Sequence, residues 1–148
     1  MVIFFPVFLK KLFHKGRNYP WPKPGYCPRC GGNRVWGHGF ATAFFDGFDE
    51  SLWIKLSRCP DCGCGIRMRP KGYFKRFQAP IDTIRKSIFL KSATNRWLPG
   101  ISRTRQHHWF KALRRRVKAW FGDTWKHSLL EAFDQFMAKG MVPVNRSV

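Results

Sequence analysis

Apolar residues recur along this chain with three different spacings. Residues 1–13, MVIFFPVFLKKLF, form a short apolar run broken by Pro6. A bilayer span takes roughly 20 apolar residues, so this run predicts a strand or short helix packed on the body of the protein. Residues 14–26, HKGRNYPWPKPGY, lose that pattern, and their prolines fix φ and remove donors, which predicts an extended linker. RVWGHGF (34–40) and LWIKLSR (52–58) then alternate in part and are rich in β-branched and aromatic residues, predicting two strands around the turn residues DGFDE (46–50). Residues 65–80, GIRMRPKGYFKRFQAP, read as an extended connector. Beyond it the spacing becomes three and four. Ile81, Ile84 and Ile88 predict a helix with Pro80 in its first turn, broken at Pro99–Gly100. Ser102 is the expected N-cap of a helix to residue 120. On that helix Trp109, Phe110, Leu113, Val117 and Trp120 gather on one side and Arg103, His107, Lys111, Arg114, Arg115 and Lys118 on the other. Arg105 and Arg116 fall nearer the apolar side. Gly122 ends it. A last helix, N-capped by Asp123, buries Leu129, Leu130, Phe133, Phe136 and Met137 and stops at Gly140.

Composition and charge narrow the class. The chain has 148 residues, 44% of them hydrophobic and 17% aromatic, which excludes a disordered chain and implies a core built largely from rings. Its net charge is +20, so nucleic acid is the leading partner class and an anionic membrane surface comes second. The charge is unevenly placed. Residues 27–64 carry four basic and four acidic residues, whereas residues 65–120 carry sixteen basic residues and a single acid, Asp82. The polyanion-binding surface is therefore expected in 65–120. The first thirteen residues place their charges after the apolar run and offer no small-residue cleavage site, so the expectation is a cytoplasmic, nucleoid-associated protein.

All five cysteines lie in YCPRCGG (26–32) and RCPDCGC (58–64). Two Cys-x-x-Cys pairs, each with Pro after the first cysteine and Gly after the second, suit tight turns that present two sulfurs to one ion. A β-hairpin joining them is a zinc ribbon. The expected ligands are Cys27, Cys30, Cys59 and Cys62, because they repeat the same two-residue gap. Cys64 is left over, and could still take the place of Cys62. Four thiolates make a closed, structural zinc site. Iron or an iron–sulfur cluster uses the same ligands. Disulfides are disfavoured by the odd count.

The stretches YCPRCGG, His38–Gly39, RCPDCG and GISRTRQHHWFKALRRR (100–116) together resemble the zinc-ribbon plus helix-turn-helix module found at the N-terminus of many bacterial insertion-sequence transposases. The resemblance covers residues 27–120. It implies an α+β chain in which a small β-hairpin zinc ribbon precedes a three-helix, helix-turn-helix-like module, with double-stranded DNA as partner. The segments are then 1–24, the apolar segment and linker; 25–66, the ribbon; 67–79, the connector; 80–140, the helical DNA-binding module; and 141–148, a tail. The transposases carry a catalytic domain with three spaced acids, and this chain has no such set after residue 120. The resemblance thus implies a stand-alone accessory or regulatory protein, with the ribbon able to dock a transposase or other protein.

Recognition helices direct their N-terminal residues at base edges, so Arg103, Thr104, Arg105, Gln106 and His107 are the expected readers. Lys111, Arg114, Arg115 and Lys118 are the expected phosphate contacts. RMRPKG (67–72) suggests a minor-groove arm of Arg67, Arg69 and Lys71. Catalysis is not expected: His107 and His108 point about 100° apart on a helix and cannot clamp one metal, and no Gly-rich loop precedes Lys-Ser/Thr. An RNA-binding protein, stacking bases on the aromatics of 65–80, and a protein-interaction adaptor are the competing classes.

Overall fold

The N-terminal apolar run becomes two elements. Val2–Phe5 form strand β1, Pro6 interrupts the ladder, and Leu9–Lys15 form helix α1, which buries Leu12 completely. The expected strands follow as β2 (Trp36–Ala43) and β3 (Leu52–Arg58), paired antiparallel with an irregularity between Gly37 and Phe40. Gly39, at φ 84°, supplies the left-handed residue that this bulge requires.

The connector expected at 65–80 is corrected in its first part: Gly65–Pro70 form a fourth strand, β4. It pairs antiparallel with β3 (Leu56 opposite Arg67) and parallel with β1 (Val2 opposite Arg67), giving one sheet in the order β1-β4-β3-β2. Sequence hides this strand because its arginines alternate with Ile66 and Met68, a period of two that reads equally as a basic linker. Where the sequence suggested three segments, residues Met1–Ala79 form one compact unit. Leu12, Trp21, Phe45, Leu52, Ile54 and Met68 fill its main core, and a second, smaller cluster holds Val35 and Ile66 with Cys27, Cys59 and Cys64.

The other compact unit begins at Pro80. Its helices are α2 (Ile81–Thr94), α3 (Arg103–Phe121) and α4 (Leu129–Ala138), packed pairwise. Ile84, Ile88, Leu113, Phe133 and Phe136 are almost completely buried. Ser102 caps α3, accepting from the Arg105 N–H at 3.2 Å, and Gly122 ends it. The N-cap expected at Asp123 is corrected. Asp123 lies in a short 3₁₀ turn, Gly122–Thr124, and Trp125 stacks on Phe121 with centroids 4.3 Å apart. Ser128 caps α4 instead, accepting from the Glu131 N–H at 3.1 Å, which is the Ser-x-x-Glu pattern of a capping box. Arg85 on α2 grips Asp134 on α4 with both carboxylate oxygens engaged, at 3.0 and 2.8 Å, and this guanidinium holds the Asp134 carboxyl below its usual range.

The structure, a computed structural model, describes residues 1–145, a mixed α+β arrangement with one four-stranded sheet and, among the described residues, four α-helices. The last three residues of the expected tail lie outside it. No helix among the described residues is long and apolar enough to cross a membrane.

Candidate functional site

The two cysteine turns are built alike. In the first, the Gly31 N–H donates to the Cys27 carbonyl at 2.9 Å. The Arg29 and Gly32 N–H groups point at the sulfurs of Cys27 and Cys30, each at 3.4 Å. In the second, which is the loop joining β3 to β4, the Gly63 N–H donates to the Cys59 carbonyl at 2.9 Å and the Cys59 N–H to the Cys64 carbonyl at 3.0 Å. Gly31 and Gly63 both take positive φ, 75° and 72°, which explains the glycine after each pair.

These turns bring Cys27, Cys30, Cys59 and Cys62 together, with all four sulfurs within 4.8 Å of one another. Cys27 and Cys62 are 3.7 Å apart, Cys30 and Cys59 3.5 Å. A tetrahedral ion with metal–sulfur bonds of about 2.3 Å sets its sulfurs about 3.8 Å apart, so the spacing fits a tetrathiolate metal site. Cys64 stands outside it. Its thiol is buried and donates toward the Gly65 carbonyl at 3.5 Å.

Without a cation Cys27, Cys30 and Cys62 hold their protons unequally. The Cys30 N–H, helped by that of Arg29, outweighs burial and lowers Cys27 to about 6. The Cys64 N–H pulls Cys62 down, but burial and the other three thiols together push it up to about 12. The Gly32 N–H lowers Cys30, yet the Cys59 thiol and burial leave it raised. A metal ion held here would be bound by Cys27, Cys30, Cys59 and Cys62 as thiolates, their protons being released. Arg34 and Asp61 pair across the two turns. A Cβ on Gly32 would come within 2.5 Å of the Asp61 carboxylate, which would then have to turn away from its place beside Arg34.

The expected nucleic-acid contacts are placed unevenly. On α3, Arg103, Thr104, His107, Lys111, Arg114, Arg115 and Lys118 are all exposed. Arg105 is half-buried, its guanidinium 5.4 Å from the centre of the Trp109 ring. Gln106 is corrected outright: it is 0% exposed and faces inward. Its Oε1 accepts from Ser87 Oγ at 2.7 Å and the Leu98 N–H at 2.8 Å. Its Nε2 donates to the Leu98 and Ile101 carbonyls at 2.9 and 3.0 Å. Its four bonds satisfy the amide completely.

The expected minor-groove arm is also corrected. Arg67 and Arg69 belong to β4, which pairs with β3 over residues 65–67 and with β1 over residues 67–70, and the Lys71 N–H continues the β1 ladder to the Phe5 carbonyl at 2.7 Å. Arg67 and Lys71 are exposed, but Arg69 is buried. Such a segment cannot leave the sheet to follow a groove.

Two features escaped the sequence reading. One is an open cleft of about 1050 Å³ where His107, Phe110, Lys111 and Arg114 of α3 meet Lys91 of α2 and Trp125. The other is the cavity around Arg69 described below. Neither has a local signal, since each is assembled from residues far apart in the chain. No family model, curated protein or solved structure matches this chain.

Proposed function

We propose that this protein is a zinc-stabilised, non-catalytic DNA-binding protein that contacts the duplex through the exposed basic stripe of α3. The observation that supports this reading most is the stripe itself. Arg103, His107, Lys111, Arg114, Arg115 and Lys118 are all exposed along one side of a 19-residue helix whose other side buries Trp109, Leu113 and Val117. A rigid helix of this length presents its charges at the spacing of a groove wall. Lys111, Arg114, Arg115 and Lys118 hold phosphates, and Arg103, Thr104 and His107, at the N-terminal end, approach base edges.

The metal has a structural role in this reading. Cys27, Cys30, Cys59 and Cys62 close the coordination shell, leaving no open position for a substrate, and zinc suits four thiolates in tetrahedral array. The strands and cysteine turns form a zinc ribbon in the broad sense, widened by β1. The connection from α2 to α3 runs over residues 95–102, longer than the three- or four-residue turn of a helix-turn-helix. We therefore read α3 as a basic helix in its own right. The relation to transposase modules rests on the cysteine and GISRTR motifs, and within this proposal it makes the protein an accessory that binds DNA for another chain.

A second reading has one observation in its favour. The α3 cleft combines Phe110 and Trp125 with Lys91, Lys111 and Arg114, a combination suited to unpaired bases. Fluorescence anisotropy of the metal-loaded protein against duplex DNA, single-stranded DNA and RNA hairpins at several salt concentrations separates the two. The expected result is duplex preference, with the salt slope reduced by about 2 in Arg114→Glu/Arg115→Glu, one unit per lost phosphate contact. Preference for single strands that falls in Trp125→Ala would replace the duplex reading. Undiminished binding by the charge-reversed variant would remove α3 from the interface.

A further inference from the structure

Arg69 is a buried cation without an anion. Only 5% of its surface is exposed. Its Nη2 donates to the Phe77 carbonyl at 3.0 Å, and its guanidinium lies 5.1 Å from the centre of the Phe45 ring. Its Nε is buried with no hydrogen-bond partner, and no carboxylate among the described residues pairs with it. Burial, and after it the charge of Arg67, lowers the affinity of this guanidinium for its proton. A buried charge left in this state is costly, and the usual remedy is a counter-ion.

The surroundings have room for one. Arg69 lines a cavity of about 320 Å³ in the N-terminal unit, together with Arg67, Lys75, Arg76, His38 and Ser57. No acidic residue lines it. The residue that contributes the fourth cation is itself held in a strained conformation: Arg76 has φ 67°, a left-handed backbone that residues other than glycine rarely adopt. The fold thus accepts strain to carry an arginine where glycine would sit more easily. Arg67, Arg69, Arg76 and Lys75 all line this one small concave space. Arginine forks match the oxygens of a phosphoryl group, and a volume near 300 Å³ is at the lower end of the range for small-ligand sites.

We propose that this cavity binds a phosphate monoester, with Arg69 and Arg76 as its principal contacts. The group is the terminal phosphate of a nucleic acid strand or that of a free mononucleotide, the same chemistry from two sources. The site lies in the other unit from α3 and does not depend on the duplex reading.

Isothermal titration of the metal-loaded full chain tests it, with adenosine 5′-monophosphate, adenosine, and one oligonucleotide carrying either a 5′-phosphate or a 5′-hydroxyl. The background is Arg114→Glu/Arg115→Glu, so that failure of the α3 reading leaves this result unaffected. Saturable binding of the monophosphate but not of adenosine is expected. It should weaken about tenfold in Arg76→Gly, the equivalent of one charge-assisted hydrogen bond, and further in Arg69→Met. Arg76→Gly is the decisive variant, because glycine adopts φ 67° freely and the fold keeps its melting temperature even if Arg69→Met does not fold. A preference for the 5′-phosphorylated strand that disappears in Arg76→Gly assigns the site to strand ends. Monophosphate binding without that preference assigns it to mononucleotides. Equal heats with monophosphate and adenosine, no saturable binding of either monophosphate or phosphorylated strand, or undiminished binding by Arg76→Gly would overturn the proposal.

Discussion

Cys62 and Cys64 are two residues apart and serve different ends. The Cys62 sulfur joins the other three, while the Cys64 thiol turns toward the Gly65 carbonyl and packs in the small core with Val35 and Ile66. The Cys59 N–H to Cys64 carbonyl bond closes the turn, and this bond sends the Cys64 side chain away from the sulfur cluster. Cys62→Ser is expected to lose stoichiometric metal, and Cys64→Ser to keep it. The second change costs only the burial of a hydroxyl in place of a thiol, about 1–3 kcal/mol. Metal-to-protein ratios after dialysis, read beside thermal melts, check both. Equal metal loss from the two variants would make Cys64 a ligand.

Among the elements, α3 owes its position to a polar residue as much as to its apolar stripe. Gln106 ties α3 to Ser87 of α2 and to the Leu98 and Ile101 carbonyls of the connection between them. That connection contains Pro99 and Gly100, which supply no side-chain bonding of their own, so its geometry depends on this amide. Gln106→Leu keeps the side-chain size but leaves the Ser87 hydroxyl and the Leu98 amide unsatisfied in the interior. The expected cost is about 2–4 kcal/mol in urea unfolding, the range for stranding one or two buried polar groups. A cost below about 0.5 kcal/mol would mean that water or a backbone shift replaces the amide. β4 makes the complementary case: its sequence looks like a linker, yet its first half pairs with β3 and its second half with β1.

Across the molecule, stability is divided. The main core of the N-terminal unit sits around Leu12, Phe45, Leu52 and Ile54, whereas the cluster at the cysteine turns has only Val35, Ile66, Cys27, Cys59 and Cys64 buried. So few apolar side chains cannot order two loops by themselves; a metal held by the four sulfurs would supply the missing stability, as structural zinc does in small modules at about 10–16 kcal/mol. Chelation is therefore expected to deprotect the amides of Cys27, Gly31, Cys59 and Gly63 in hydrogen-exchange measurements. Protection within α3, which belongs to the other compact unit, should be unchanged. Loss of protection in both units would show that the metal supports the helices as well.

The local chemistry was legible in the order of residues alone. Cys-x-x-Cys-Gly spacing defines a turn over a few bonds, Ser102 defines a helix start, and a period near 3.6 defines which side of α3 stays exposed. Each depends on neighbours within one turn of chain, so one sequence contains the whole cause. The same reasoning placed Gln106 and Arg69 on the surface, because both residue types favour water when nothing else competes. Tertiary structure decided otherwise. Gln106 is inside because Ser87, Leu98 and Ile101 complete its hydrogen bonds. Arg69 is inside because β4 is held in the sheet by its pairing with β1, and there the Phe77 carbonyl and the Phe45 ring take its guanidinium. That pairing joins residues more than sixty positions apart, and no local pattern encodes which two strands will meet.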